Sequence, residues 1–181
     1  MDYSKLTPTI LPKVLETMRL INNPEVDPEI RQLNQEILFR EVGQAVYAKV
    51  YDMNAFDFEI PHTVGPGLDD RYYGLAKVTA GSISTGDAAT AAYVADYINS
   101  VIALAQQHAH TNARESGKHP TVTRMTVGAK TCQWCRNLAG TYTDPGPDVF
   151  RRHGSCDCKI ITEGFKSRNG ELSNYVQPQN R

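Results

Sequence analysis

Cysteine is absent from the first 131 residues, and so is the chain's single tryptophan. No apolar run approaches the roughly 18 residues needed to cross a bilayer, so no membrane span is expected. The opening residues, Met1-Asp2-Tyr3-Ser4-Lys5, lack the charged-then-apolar pattern of a secretory signal. An oxidising compartment, the usual setting of structural disulfides, is therefore not expected. The formal net charge is only -1, so no global signature of polyanion binding exists. Internal repeats and low-complexity blocks are missing too, which excludes solenoid architectures. The hydrophobic share of 40% lies below the usual globular value and fits a chain with partner-covered segments.

What the chain does contain is concentrated near its C-terminal end. All four cysteines fall between Cys132 and Cys158, in the runs Cys132-Gln-Trp-Cys135 and His153-Gly-Ser-Cys156-Asp-Cys158. Two residues between ligands let a tight turn aim both side chains at one ion, and His153 and Cys156 repeat the spacing of Cys132 and Cys135. Two such knuckles can close a tetrahedron around Zn2+. The candidate metal ligands are Cys132, Cys135, His153, Cys156 and Cys158. Five donors compete for four places; the spacing favours Cys156 over Cys158 without deciding between them. Two disulfides and a redox Cys-x2-Cys are the competing readings. The reducing setting counts against the first, and the downstream His-Cys cluster against the second. A catalytic zinc would keep an open position and a nearby base, whereas these ligands suffice to close the shell, so no catalytic residue is expected.

Charge is split along the chain. Residues 1–120 carry ten basic and fifteen acidic side chains, and residues 121–181 carry nine and five, a net of +4. Apolar spacings of three and four predict helices near 5–21, 28–51 and 86–115. In the first, Pro8 suits an opening turn and Pro12 kinks or delays the helix. The second starts on Asp27-Pro28-Glu29 and presents Ile30, Leu33, Ile37, Val42, Ala45, Val46, Lys49 and Val50 on one face, with Gly43 weakening its middle. Met53–Asp70 reads as a loop pinned by Phe56 and Phe58, followed by a short helix from Arg71 towards Gly81. In the third helix, i,i+2 spacing keeps His108 and His110 from sharing a face, so they read as ordinary polar-face residues.

Gly117-Lys118-His119-Pro120 closes the helical part. Thr121–Val127 alternates as a strand with Val122, Met125 and Val127 as its larger apolar groups; Gly140–Thr143 and Lys159–Thr162 read as two further short strands. The expected fold is α+β: a mainly helical region over 1–117, then a small strand-rich zinc-knuckle module over 118–165. A tail over 166–181 is expected to be frayed or partner-bound. About 40 residues cannot bury enough apolar surface to be stable alone, so metal ligation is expected to hold the module. Trp134 is expected to lid its core opposite Tyr142 or Phe150.

The run Thr131-Cys132-Gln-Trp-Cys135-Arg136-Asn-Leu138-Ala-Gly140, with Phe150-Arg151-Arg152-His153 and Cys156-Asp-Cys158, resembles the phage Mu F-like head morphogenesis family, the minor capsid proteins of tailed bacteriophages. The resemblance covers Arg124 to Thr162. Gly154 and Asp157 stand where the family often has Pro and Arg, and Asp157 disfavours a phosphate grip there. The resemblance implies a structural protein of the virion, near the portal, acting in head assembly, DNA packaging or ejection. Its partners would be portal or capsid protein, with viral DNA as a further candidate contact, and its location the phage head after assembly in host cytoplasm. The rival readings are a free zinc-knuckle nucleic-acid-binding protein and an HNH-like nuclease. The first lacks a dense basic cluster. The second would need His153 as a base while the same residue is wanted as a ligand.

Overall fold

The computed structural model describes residues 3, 5–61, 65–81, 88–127, 131–153 and 158–163. Four long helices come first: α1 (Leu6–Ile21), α2 (Pro28–Phe58), α3 (Asp70–Gly81) and α4 (Ala88–Glu115). There follow β1 (Thr121–Thr126), the single-turn helix α5 (Gln133–Asn137), β2 (Gly140–Tyr142), a 3-10 turn at Pro147–Val149 and β3 (Cys158–Glu163). The strands form an antiparallel sheet in the order β2-β1-β3. A helical N-terminal region with a small three-stranded sheet is thus the architecture, and the expected strands fall in the expected places. No helix among the described residues is long and apolar enough to cross a membrane. The tail beyond Glu163 and the start of the third expected helix, residues 86 and 87, lie outside the described residues.

Local chemistry sets the helix ends. The Asp27 carboxylate accepts the Glu29 N–H at 2.8 Å, with Pro28 in the first turn, satisfying donors that open any helix. Gly117, at φ 71°, lets the Lys118 N–H turn back onto the Ala113 carbonyl at 2.8 Å and ends α4. Pro12 lies inside α1, which begins before it at Leu6.

The expected loop after Tyr51 is a correction: α2 runs on to Phe58. Ala55 and Phe58 continue its buried face, and Glu59 ends it in the left-handed region at φ 55°. Asp52, Asn54 and Asp57 interrupt the apolar pattern, but Asn54 is fully buried because it has tertiary partners. Its amide donates to Tyr3 Oη at 2.8 Å, and its carbonyl accepts from Thr162 Oγ1 at 2.6 Å. Of the two expected aromatic pins, Phe58 is buried and Phe56 exposed.

The face assigned to α2 is a second correction. Val46 and Val50 are buried as expected, together with Gln35, Phe39, Gly43, Tyr47 and Tyr51, but Ile30, Leu33 and Ile37 are about half exposed and Ala45 is exposed. At 100° per residue, Ile30, Leu33 and Ile37 point about 125° from the mean direction of that buried set. Lys49 is exposed as well.

Helix α4 is the centre of the fold. Val101 to Gln106 are all buried, because α2 packs on one side and the sheet reaches Ala103 and Gln106 on another. Val94, Tyr97, Ile98, Val101 and Ala105 join the main core with Phe39, Val46 and Val50. Ala103, on another side of the same helix, joins Val122, Val149, Phe150 and Ile160 in a smaller core under the sheet. Gln106 Nε2 donates to the Ile160 carbonyl at 3.1 Å, and His110 Nε2 lies 3.1 Å from the Pro120 carbonyl. His110 is therefore buried, not a polar-face residue, and His108 is half-buried with Nδ1 2.8 Å from Tyr47 Oη.

At Gly43, α2 lies directly against the Tyr97 side chain of α4. A Cβ there would stand 2.2 Å from Tyr97 Oη and 2.9 Å from Leu68 Cδ1, and Tyr97 Oη donates to the Phe39 carbonyl at 2.7 Å. In an exposed helix, Gly to Ala stabilises by about 1 kcal/mol. Here overpacking, which costs about 1–3 kcal/mol, outweighs that gain. Gly43→Ala is expected to lower the free energy of unfolding in urea; a variant as stable as the parent would mean that the two helices sit further apart.

Candidate metal centre

Strand β1 alternates, but not as its apolar residues imply. Val122 and Arg124 point inward, Met125 is half-buried, and Val127 is exposed. Val122 opposes Thr162 and Arg124 opposes Ile160 on β3, and the register ends with Thr126 opposite Cys158. Cys158 thus opens β3 with its side chain buried, packed against Cys135.

Two short turns bring the remaining described ligands together. Cys132 precedes α5, and its sulfur accepts the Cys135 N–H at 3.4 Å, so both thiols of the Cys-x2-Cys pair lie on one side of a single helical turn. Val149 and Phe150 anchor the 3-10 turn in the small core, and the chain leaves that anchor directly into His153. His153 Nε2 lies 3.0 Å from Cys132 Sγ and 3.1 Å from Cys135 Sγ. Their donor atoms all lie within 4.8 Å of one another, a group that could hold a metal ion. A tetrahedral Zn–S and Zn–N pair spans about 3.6 Å, so loading would open each edge by about half an ångström.

Of the five sequence candidates, Cys132, Cys135 and His153 are therefore brought together. Cys158 lies alongside through its contact with Cys135 but outside that group, and Cys156 lies outside the described residues. No disulfide links Cys132, Cys135 and Cys158.

Trp134 is not the lid of the small core; Phe150 and Tyr142 belong to that core, and Trp134 is 40% exposed. Its ring instead covers the Arg124 guanidinium, 5.1 Å from the centroid, and meets the His153 ring edge-on at 5.8 Å. Arg124 is the residue that sequence reasoning missed. It is 1% exposed, with Nη1 donating to the Val149 and Arg151 carbonyls at 2.7 Å each and Nη2 3.5 Å from Cys135 Sγ. The signal was present: once Val122 faces inward, a period of two sends Arg124 inward as well.

Comparison with family models, with curated proteins and with solved structures finds no match to this chain. The side chains themselves carry the functional argument.

The Cys132 thiol is held below its usual range, at about 7, chiefly by the Cys135 backbone N–H, with the neighbouring His153 and Cys135 side chains adding to the effect. An ordinary thiol titrates near 8.5. In metal-free protein, the iodoacetamide labelling rate of Cys132 is expected to rise with pH through a midpoint near 7 and to fall below it as the thiolate takes up its proton. Buried Cys135 and Cys158 should react later. A Cys132 midpoint near 8.5 would contradict this picture of the first knuckle.

Proposed function

We propose that the chain is a structural minor capsid protein of the phage Mu F-like head morphogenesis type, attached near the portal, in which zinc holds a small knuckle module against a helical body. The observation that carries the reading is the convergence of Cys132, Cys135 and His153 beside a sheet whose own core is only a handful of side chains. A shell closed by Cys156 or Cys158 makes the ion a scaffold and leaves it no open position for chemistry. The motif order and the mainly helical front agree with the family's pattern.

The exposed face of α2 supports attachment to a larger assembly. Ile30, Leu33 and Ile37 recur at three and four residues, so they form one apolar stripe facing away from the core. Acidic Glu29, Glu36 and Glu41 border it, with Arg40 ion-paired to Glu36. Such a stripe fits a groove on portal or capsid protein with basic rims.

A free DNA-binding role is less well supported. Two of the basic side chains that would meet phosphate are committed inside the fold: Arg124 is buried, and Arg152 donates to the Cys158 carbonyl at 2.6 Å; Arg114 and Arg151 stand in surface pairs with Asp144 and Asp148. Counterion-release binding needs several uncommitted cations.

Purified chain is expected to carry about one zinc per molecule and to be recovered with portal protein from phage particles. Ile30→Glu with Leu33→Glu should keep its zinc and its helical content yet fall in particles by about tenfold or more. A chain that carries no zinc, or that is recovered only outside particles, would contradict the reading.

A further inference from the structure

We propose that Arg124 is the built-in counter-charge of the metal centre at Cys132, Cys135 and His153, and that this centre takes a third thiolate as its fourth ligand. The inference rests on the metal reading above and adds the charge of the ligand set and the residue that balances it.

A guanidinium remains protonated in any folded protein. Arg124 is nevertheless almost wholly buried, and no carboxylate pairs with it among the described residues. Its neighbours are the Val149 and Arg151 carbonyls, the face of Trp134 and the sulfur of Cys135. Its Nε is buried with no partner. Carbonyl dipoles and a ring face solvate a cation but do not neutralise it, and a buried charge without a counter-charge is strongly unfavourable.

Charge counting then selects the ligand set. A divalent ion with two thiolates and a neutral imidazole has no net charge, so water or a second imidazole in the fourth place would leave Arg124 uncompensated. A third thiolate makes the centre mononegative and balances the arginine. Three soft donors and one imidazole also suit zinc better than a harder ion.

The same contacts make Arg124 a positioning residue. Its two ends join Cys135, in the first knuckle, to the carbonyl of Arg151, two residues before His153. Partners of this kind commonly set metal affinity by 10–100-fold.

The test uses the full chain with Co2+ as a spectroscopic probe, alongside Arg124→Met and Arg124→Lys. The parent should give a tetrahedral Co2+ spectrum with the sulfur-to-cobalt charge-transfer intensity of three thiolates. Chelator competition should show Arg124→Met weakening Co2+ binding by about 10–100-fold, with Arg124→Lys recovering most of the loss. Met is apolar and of similar length, so a purely packing role predicts that Met binds at least as tightly as Lys, and that result overturns the proposal. Should the variants fail to fold, the parent spectrum decides. Two thiolates with an open position overturn the inference and leave the metal reading standing; no Co2+ uptake overturns the metal reading itself.

Discussion

The guanidinium of Arg124 ties together three pieces of chain that the sequence keeps apart. It projects from the middle strand of the sheet, takes hold of two carbonyls around the 3-10 turn, and reaches the sulfur of Cys135 in the first knuckle. Beside that cross-link, the turn carrying His153 and the helix carrying Cys135 are joined by the contacts of His153 with Cys132, Cys135 and Trp134 and by a small cluster around Val122, Val149, Phe150 and Ile160. A cluster of that size cannot offset the conformational entropy of some 40 ordered residues. The sheet is therefore held from outside its own core along one face: by α4 near Val122 and Ile160, and by the thiol–imidazole group near Arg124 and Cys158.

The attachment to α4 is as much polar as apolar. Gln106 bonds the β3 backbone, and Thr162 and Asn54 bond each other where both are completely buried. Asn54 also holds Tyr3, so the first described residue, the C-terminal part of α2 and the last strand meet around one amide. Buried polar groups of this kind contribute modestly when paired and cost much more when one partner is removed. They fix which face of the sheet meets the helices, a choice that apolar burial alone leaves open. Thr7 and Asn99 make a similar link between α1 and α4 at 2.8 Å.

Much of this was legible in the sequence. The Asp27-Pro28 start, the Gly117 stop, the three strands and the convergence of Cys132, Cys135 and His153 follow from capping chemistry, alternation and ligand spacing. What was not legible shares one cause: tertiary partners gave polar residues buried places and left apolar ones outside. Asn54 looks like a loop residue until Tyr3 and Thr162 are placed beside it. His110 looks like surface until the Pro120 carbonyl and the Phe150 ring meet it. Ile30, Leu33 and Ile37 look like core because an isolated helix carries no mark of which of two apolar faces its own chain will cover. Trp134 was expected as the apolar lid of the small core, yet its ring lies over Arg124.

A helical body with an exposed apolar stripe carries a small sheet beside a Cys132, Cys135 and His153 group that could hold a metal ion. The central proposal is that an ion there, together with α4, keeps the sheet folded. Hydrogen exchange on the full chain, zinc-loaded and zinc-stripped, tests this most directly. The account predicts slow exchange of the β1 and β3 amides with zinc and loss of that protection after stripping, while the amides of α2 and the middle of α4 change little. Equal protection of β1 and β3 in both states would contradict it.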